Sequence, residues 1–256
     1  MDLQLSNKVV IVSGGAKGIG EGIVRKLAEE GAIPVILGRN EKDNIRVVES
    51  LPGEAWQVRA ELSRPIECEE AVRLVAEKYG RIDGLVNNAG VNDGIGLENG
   101  NYRRFIHSLH NNLIHYYLLA HFALPHLKKS KGSIVNISSK TAETGQGDTS
   151  AYAAANGARN ALTREWAVEL LKYRIRVNAI IVAECFTPLY EQWISGLPDP
   201  QGTLEKIKQR IPLENRMTTV EEIADMVVFL LSERSSHTTG QLIHVDGGYV
   251  HLDRAI

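Results

Sequence analysis

Cysteine is nearly absent: the 256 residues hold only two, Cys68 and Cys185. Two thiols cannot make a disulfide framework, and they stand in no metal-ligand spacing, so no metal is expected and a reducing compartment is the default. Neither sign of charge prevails, with 29 Lys and Arg against 31 Asp and Glu. That excludes the basic footprint of a nucleic-acid or anionic-membrane binder. No apolar run approaches the roughly 20 residues that cross a bilayer. The opening MDLQLSNK has neither the basic start nor the apolar stretch of a secretion signal, so the cytoplasm is expected. Repeats, low-complexity tracts and linkers are lacking as well. The expectation is a single soluble domain over residues 1–256, 43% hydrophobic and long enough to bury a full core.

What is there is organised around residues 9–20, VVIVSGGAKGIG. Val9, Val10, Ile11 and Val12 show no alternation of apolar and polar residues, which reads as a strand buried on both faces. Gly14, Gly18 and Gly20 follow, and a helical pattern starts at Ile19, Ile23 and Leu27. Strand, glycine turn and helix start make a place for a phosphate, because glycine permits close backbone approach and the helix start offers free N–H groups. A glycine-rich loop without a ligand would look the same in isolation; the strand before and the helix after supply the required setting.

Further short apolar strands are expected at 33–37, 55–59, 82–86, 132–137, 174–181 and 241–245. Helical patterns cover 67–78, 102–127, 150–171 and 220–231. Strands alternating with helices argue for an α/β fold with a doubly wound parallel sheet of about seven strands. Ligands bind such sheets at the carboxyl ends of the strands, where Gly14, Asn87, Ser139 and Thr187 fall. The end of the second strand would meet an adenosine ribose, and no carboxylate stands there. Gly38 leaves room, while Arg39 and Lys17 bring charge, which favours NADP over NAD. Residues 190–212, with Gly196, Pro198, Pro200 and Gly202, form the most irregular region, and a substrate lid is expected over 186–212. Phe186, Tyr190 and Trp193 there suit either the lid or packing.

Several runs together resemble the short-chain dehydrogenase/reductase family over residues 8–248. They are Gly-x-x-x-Gly-x-Gly after Ser13, Asn87-Asn88-Ala89-Gly90, Asn112 in NNL, Ser139 with Tyr152 thirteen residues on, Arg176-Val177-Asn178, and Thr187-Pro188. The resemblance implies a Rossmann-type fold and hydride transfer between NAD(P) and a secondary alcohol or carbonyl. It implies a cofactor site of Gly14, Lys17, Gly18, Ile19, Gly20, Arg39, Glu61, Leu62, Asn88, Ala89, Gly90 and Thr187, the last bonding the carboxamide. Glu61 stands where the family usually has Asp, and Val182-Ala183 where it has Pro-Gly. By the same resemblance Asn112 kinks its helix and holds a water of the proton relay, Ser139 polarises the substrate oxygen, and Tyr152 transfers its proton. A homotetramer is expected from the same resemblance, together with helices around 114–124 and 158–171 that carry apolar residues beyond one face.

In the family a Lys four residues after the Tyr bonds the nicotinamide ribose and brings a cation; here that position is Asn156. The i, i+4 relation sets it on the face of Tyr152, but without charge. A free tyrosine titrates at about 10 and a nearby cation favours its anion, so proton transfer without one is poorly matched to neutral pH. An amide can still bond a ribose hydroxyl, so Tyr152 and Asn156 count among both the catalytic and the cofactor-binding residues. Arg159, at i+7 from Tyr152, is the first other source of charge. Two readings stay open: an oxidoreductase, and an NAD(P)-binding protein with impaired or no catalysis. The runs NNAGVNDGIGL, NLIHYYLLAH, NISSKTAETGQG and HVDGGYVHLDRA further resemble bacterial sugar dehydrogenases of the L-fucose dehydrogenase type. Asn92, Asp93, Lys140, Glu143, Gln146 and His251 would suit such a polyhydroxylated small-molecule substrate.

Overall fold

The computed structural model describes residues 1–252. Its spine is a parallel sheet of β1 (Val9–Ser13), β2 (Ile33–Gly38), β3 (Trp56–Arg59), β4 (Gly84–Asn87), β5 (Ser133–Ser139), β6 (Arg176–Val182) and β7 (Leu242–Val245). The strand order is β3-β2-β1-β4-β5-β6-β7, so the direction of winding reverses between β1 and β4. A crevice for a ligand opens at such a reversal, beyond the carboxyl ends of the strands. Every residue of β1, β4 and β5 is buried; the apolar run of β1 demands it, while the buried Asn87 amide donates to Asn136 and that of Asn136 to Thr163.

Successive side chains of β1 feed two cores. Val9 and Ile11 pack with α3 (Pro65–Tyr79), α5 (His115–Ser130) and α6 (Ser150–Glu169) through Val72, Tyr116, Leu119 and Trp166. Val10 and Val12 pack on the other side with α1 (Gly18–Glu29) and α9 (Val220–Leu231) through Ile23, Leu27, Val227 and Leu230. Each fully buried aliphatic side chain contributes about 1.5–3 kcal/mol, which fixes the register Val9 to Ile33 and Val12 to Val86. Among the described residues no helix is long and apolar enough to cross a membrane.

Three departures from the sequence-based expectation matter. A helix over Glu41–Glu49 (α2) was not foreseen; Asn40 caps it, its Oδ1 accepting from the Asp43 N–H. The long helix expected from residue 102 is broken: α4 (Tyr102–Leu109) passes through a π-helical turn, His110–Ile114, before α5. Residues 190–212 are also more regular than expected, folding into α7 (Pro188–Ser195) and α8 (Pro200–Lys208). Thr187 and Asp199 cap these two helices, accepting from Tyr190 and Gly202, with a proline at each first helical position.

Candidate active site

The glycine turn is held by the tip of β4. Ser13 Oγ accepts from the N–H groups of Asn88 at 2.9 Å and Ala89 at 3.1 Å, while Asn88 Nδ2 donates to the carbonyls of Ser13 and Gly14. Gly14 takes a left-handed φ of 67°, and a Cβ on Gly20 would collide with the Gly14 carbonyl. Lys17 stands at the N-cap of α1 with no side-chain cap, leaving the first N–H groups of the helix for an anion. The turn is thus a cradle in which only glycine fits and whose donors point at a ligand.

A cleft of about 700 Å³ runs from this turn in both directions. Towards one end lie Gly38, Arg39, Glu61 and Leu62; along its floor lie Gly14, Lys17, Gly18, Ile19, Gly20, Asn88, Ala89 and Gly90. At the other end Ser139, Tyr152, Arg159 and Thr187 line it, with Val182 and Ala183 in the place of the family's Pro-Gly. The dimensions and the glycine cradle fit a dinucleotide. Lys17 Nζ lies 2.8 Å from Asp43 Oδ2, and Arg39, its side chain 80% exposed, lies 4.0 Å from Glu61 Oε2. Glu61 also accepts from the Ser63 hydroxyl, so its carboxylate is turned back on its own loop.

Asn112 and Asn156 do not line the cleft; both are fully buried behind it. Asn112 Oδ1 accepts from the Val91 N–H at 2.7 Å and its Nδ2 donates to the Ser108 carbonyl. The Asn112 carbonyl, in the π-helical turn, accepts from Arg159 Nε at 2.7 Å and from Nη2. Arg159 Nη1 donates to the Ile137 carbonyl at 3.1 Å and to Asn156 Oδ1 at 2.9 Å, and its guanidinium lies 4.2 Å from the Tyr116 ring centre. Asn156 Nδ2 donates to the Tyr152 carbonyl at 2.8 Å, so the amide is spent on Tyr152 and Arg159 rather than offered to a ligand. Ser139, at the tip of β5, accepts from Thr141 through both its N–H and its hydroxyl.

His115 also reaches the cleft wall, which the sequence reading missed, although it follows Asn112 by three residues on the same helix. Its Nε2 lies 3.0 Å from the Asn111 carbonyl and its Nδ1 has no partner. Burial, with Arg159 adding to it, lowers its pKa to about 4, so the ring is neutral. Burial likewise pushes the Tyr116 hydroxyl up, and that hydroxyl donates to the Ile137 carbonyl at 2.9 Å.

None of the polar residues expected at the substrate end, Asn92, Asp93, Lys140, Glu143, Gln146 and His251, lines the cleft. Lys140 is buried in an ion pair with Glu184, which also accepts from the Tyr190 hydroxyl at 2.9 Å. Asp93 accepts from Ser108 and Asn92 from the Gly94 N–H. Glu143 Oε2 lies 2.9 Å from His244 Nε2, and the His244 and His251 rings are 4.2 Å apart. The Tyr190 ring packs against both Phe186 and Trp193, which are half-exposed, and none of the three lines the cleft. The end of the HVDGGYVHLDRA run, from residue 253, lies outside the described residues.

The family model described as enoyl-(acyl carrier protein) reductase matches residues 14–250. The L-fucose dehydrogenase of Bos taurus is 37% identical over 249 residues, covering 97% of this chain and 91% of that protein. Among solved structures, Cj0485 dehydrogenase is 50% identical with a TM-score of 0.96, over 100% of this chain and 99% of that one. The aldohexose dehydrogenase of Thermoplasma acidophilum is 27% identical with a TM-score of 0.90, over 100% and 98%.

Proposed function

The chain belongs to the short-chain dehydrogenase/reductase family and is an enzyme of the oxidoreductase class, and we propose that it oxidises a sugar, or another secondary alcohol or hemiacetal, at the Ser139–Tyr152 end of its cleft. The observation that carries this reading is that Ser139 and Tyr152 share one cleft with the glycine cradle. A nicotinamide dinucleotide held there supplies the hydride acceptor or donor. The glycine turn and the start of α1 hold its phosphates by backbone N–H groups. Thr187, whose Cβ lies 3.2 Å from where a Cβ of Gly18 would stand, closes over the turn and bonds the carboxamide. The Ser139 hydroxyl donates to the substrate oxygen, and the Tyr152 oxygen takes that oxygen's proton as a phenolate in oxidation or gives one as a phenol in reduction.

The sugar class is supported by the similarity to L-fucose and aldohexose dehydrogenases. The α7–α8 region acts as the lid. NADP is preferred over NAD because Lys17 and Arg39 flank the ribose end. The protein works as a homotetramer, in which the exposed Tyr117, Val168 and Leu171 are covered. Its two buried, unpaired cysteines suit the cytoplasm.

The second reading, cofactor binding with little turnover, is favoured by one observation: Asn156 brings no charge and its amide is already engaged. The test is the absorbance of reduced nicotinamide with a panel of aldoses and simple secondary alcohols. Turnover of an aldose that Tyr152→Phe abolishes supports the enzyme. Tight cofactor binding with no turnover of any alcohol overturns it in favour of the second reading.

A further inference from the structure

Arg159 is 3% exposed and forms no ion pair among the described residues. Burying a cation without a counter-charge is costly, and such a group stays where surrounding dipoles hold it and its field is used. Three oxygens hold this one: the carbonyls of Asn112 and Ile137, and Asn156 Oδ1. A helical carbonyl normally accepts from the N–H four residues on. The π-helical turn at His110–Ile114 departs from that pattern, and within it the Asn112 carbonyl accepts from the guanidinium. The planar fork of arginine meets all three oxygens at once, which a lysine at 159 could not.

The cleft wall carries three cations, and they differ. Lys17 is paired with Asp43, and Arg39 stands in solvent near Glu61, both at the ribose end. Arg159 lies on α6, the helix of Tyr152, at the other end. Its Nη2 sits 2.9 Å from where a Cβ of Gly90 would stand, so it reaches the floor of the cleft. Asn156 links the two residues, binding Arg159 with its oxygen and the Tyr152 carbonyl with its nitrogen. Both also act on the Tyr116 hydroxyl, which Arg159 pulls down and Tyr152 pushes up.

We infer that Arg159 supplies the positive charge for proton transfer at Tyr152, with Asn156 and the Asn112 carbonyl as its positioning groups. The inference rests on the reading of Tyr152 as the proton-transfer group. The other titratable groups around the pair are Tyr116 and His115 on α5, kept neutral by burial. Beyond Ser139, Lys140 and Glu184 offset each other. Of the three cations on the cleft wall Arg159 alone stands at the Tyr152 end, so removing it takes the positive charge from that end.

The experiment compares the wild type with R159Q, R159K and the swap N156K/R159Q, which moves the cation one turn back along α6. In the apo protein the tyrosinate absorbance that Tyr152→Phe removes is followed against pH. It appears about one pH unit or more higher in R159Q than in the wild type, and returns towards the wild-type pH in R159K and in the swap. With cofactor and substrate, R159Q loses 10²-fold or more in kcat while KM and cofactor Kd change less than about threefold; the swap regains most of the loss. Identical titrations of wild type and folded R159Q overturn the inference. So does a swap that folds but recovers nothing, because then Arg159 serves structure alone. If R159Q fails to fold, R159K and the swap decide by the same two readouts. Should Tyr152→Phe keep full turnover, the reading of Tyr152 fails instead, whereas the apo titration still judges Arg159 when no substrate is turned over.

Discussion

Ser13 and Asn88 hold each other from adjacent strands: the Asn88 N–H reaches Ser13 Oγ at 2.9 Å and Asn88 Nδ2 reaches the Ser13 carbonyl at 3.0 Å. The glycine turn begins at the next residue, so this double contact fixes where the phosphate-binding N–H groups point. Ser13→Ala deprives the Asn88 and Ala89 N–H groups of their acceptor. The expected loss is about 1–3 kcal/mol, a fall in Tm of several degrees, together with weaker cofactor binding. Thermal unfolding and a cofactor titration check both; unchanged values in each would show that the turn is held by other contacts.

His115 makes stability depend on acid. Its pKa is about 4 in the folded protein against 6.5 in the unfolded chain. Between those values the unfolded chain binds a proton that the folded protein does not. The contribution is complete above pH 6.5 and is lost as pH falls towards 4, about 3 kcal/mol over the window. In His115→Met this part of the pH dependence disappears. Urea unfolding at pH 7 and pH 4.5 tests it: an equal loss in both proteins on acidification would refute the assignment.

Cofactor preference turns on how far Lys17 and Arg39 are already occupied. A charge-assisted hydrogen bond contributes about 1.5–3 kcal/mol, tenfold or more in affinity, but Asp43 and Glu61 stand beside the two cations. NADP is expected to bind more tightly than NAD. Arg39→Ala narrows the gap about tenfold by weakening NADP alone, and Asp43→Asn widens it by releasing Lys17. Calorimetric titration of both cofactors decides; tighter NAD binding that neither exchange alters would exclude a 2′-phosphate site.

The exposed apolar residues Tyr117, Val168 and Leu171 lie on α5, on α6 and just after α6. The proposed homotetramer would cover them, so light scattering should give four times the 28.2 kDa of the chain at micromolar concentration. Val168→Glu with Leu171→Glu should lower that mass. A stable mass near 28.2 kDa for the unaltered protein would exclude the assembly.

The strands were legible because burial on both faces leaves dense apolar runs, uninterrupted over residues 9–12 and broken only by Asn136 over residues 134–137. The helix Glu41–Glu49 was not, because it buries only Asn44 and Val47 and so writes almost no apolar period into the sequence. In residues 190–212 glycine and proline outweighed a signal that was present: Thr187-Pro188 and Asp199-Pro200 are each a cap followed by a first-turn proline. The cofactor end of the cleft could be read from spacing, since glycine positions are dictated by backbone approach. The surroundings of Asn156 could not. Which way a polar residue turns within a buried helix depends on carbonyls from β5 and the π-helical turn, far away in the chain.

The Lys140–Glu184 pair ties the end of β5 to the segment that leads into α7. Lys140 follows Ser139 directly, and Glu184 holds Tyr190 on α7 by a hydrogen bond, so three segments meet at one dry ion pair. Pulling them apart would strand charges in a medium that does not solvate them. The start of the proposed lid is therefore pinned like a door frame, and any opening is expected after Ser195, where α8 buries no residue.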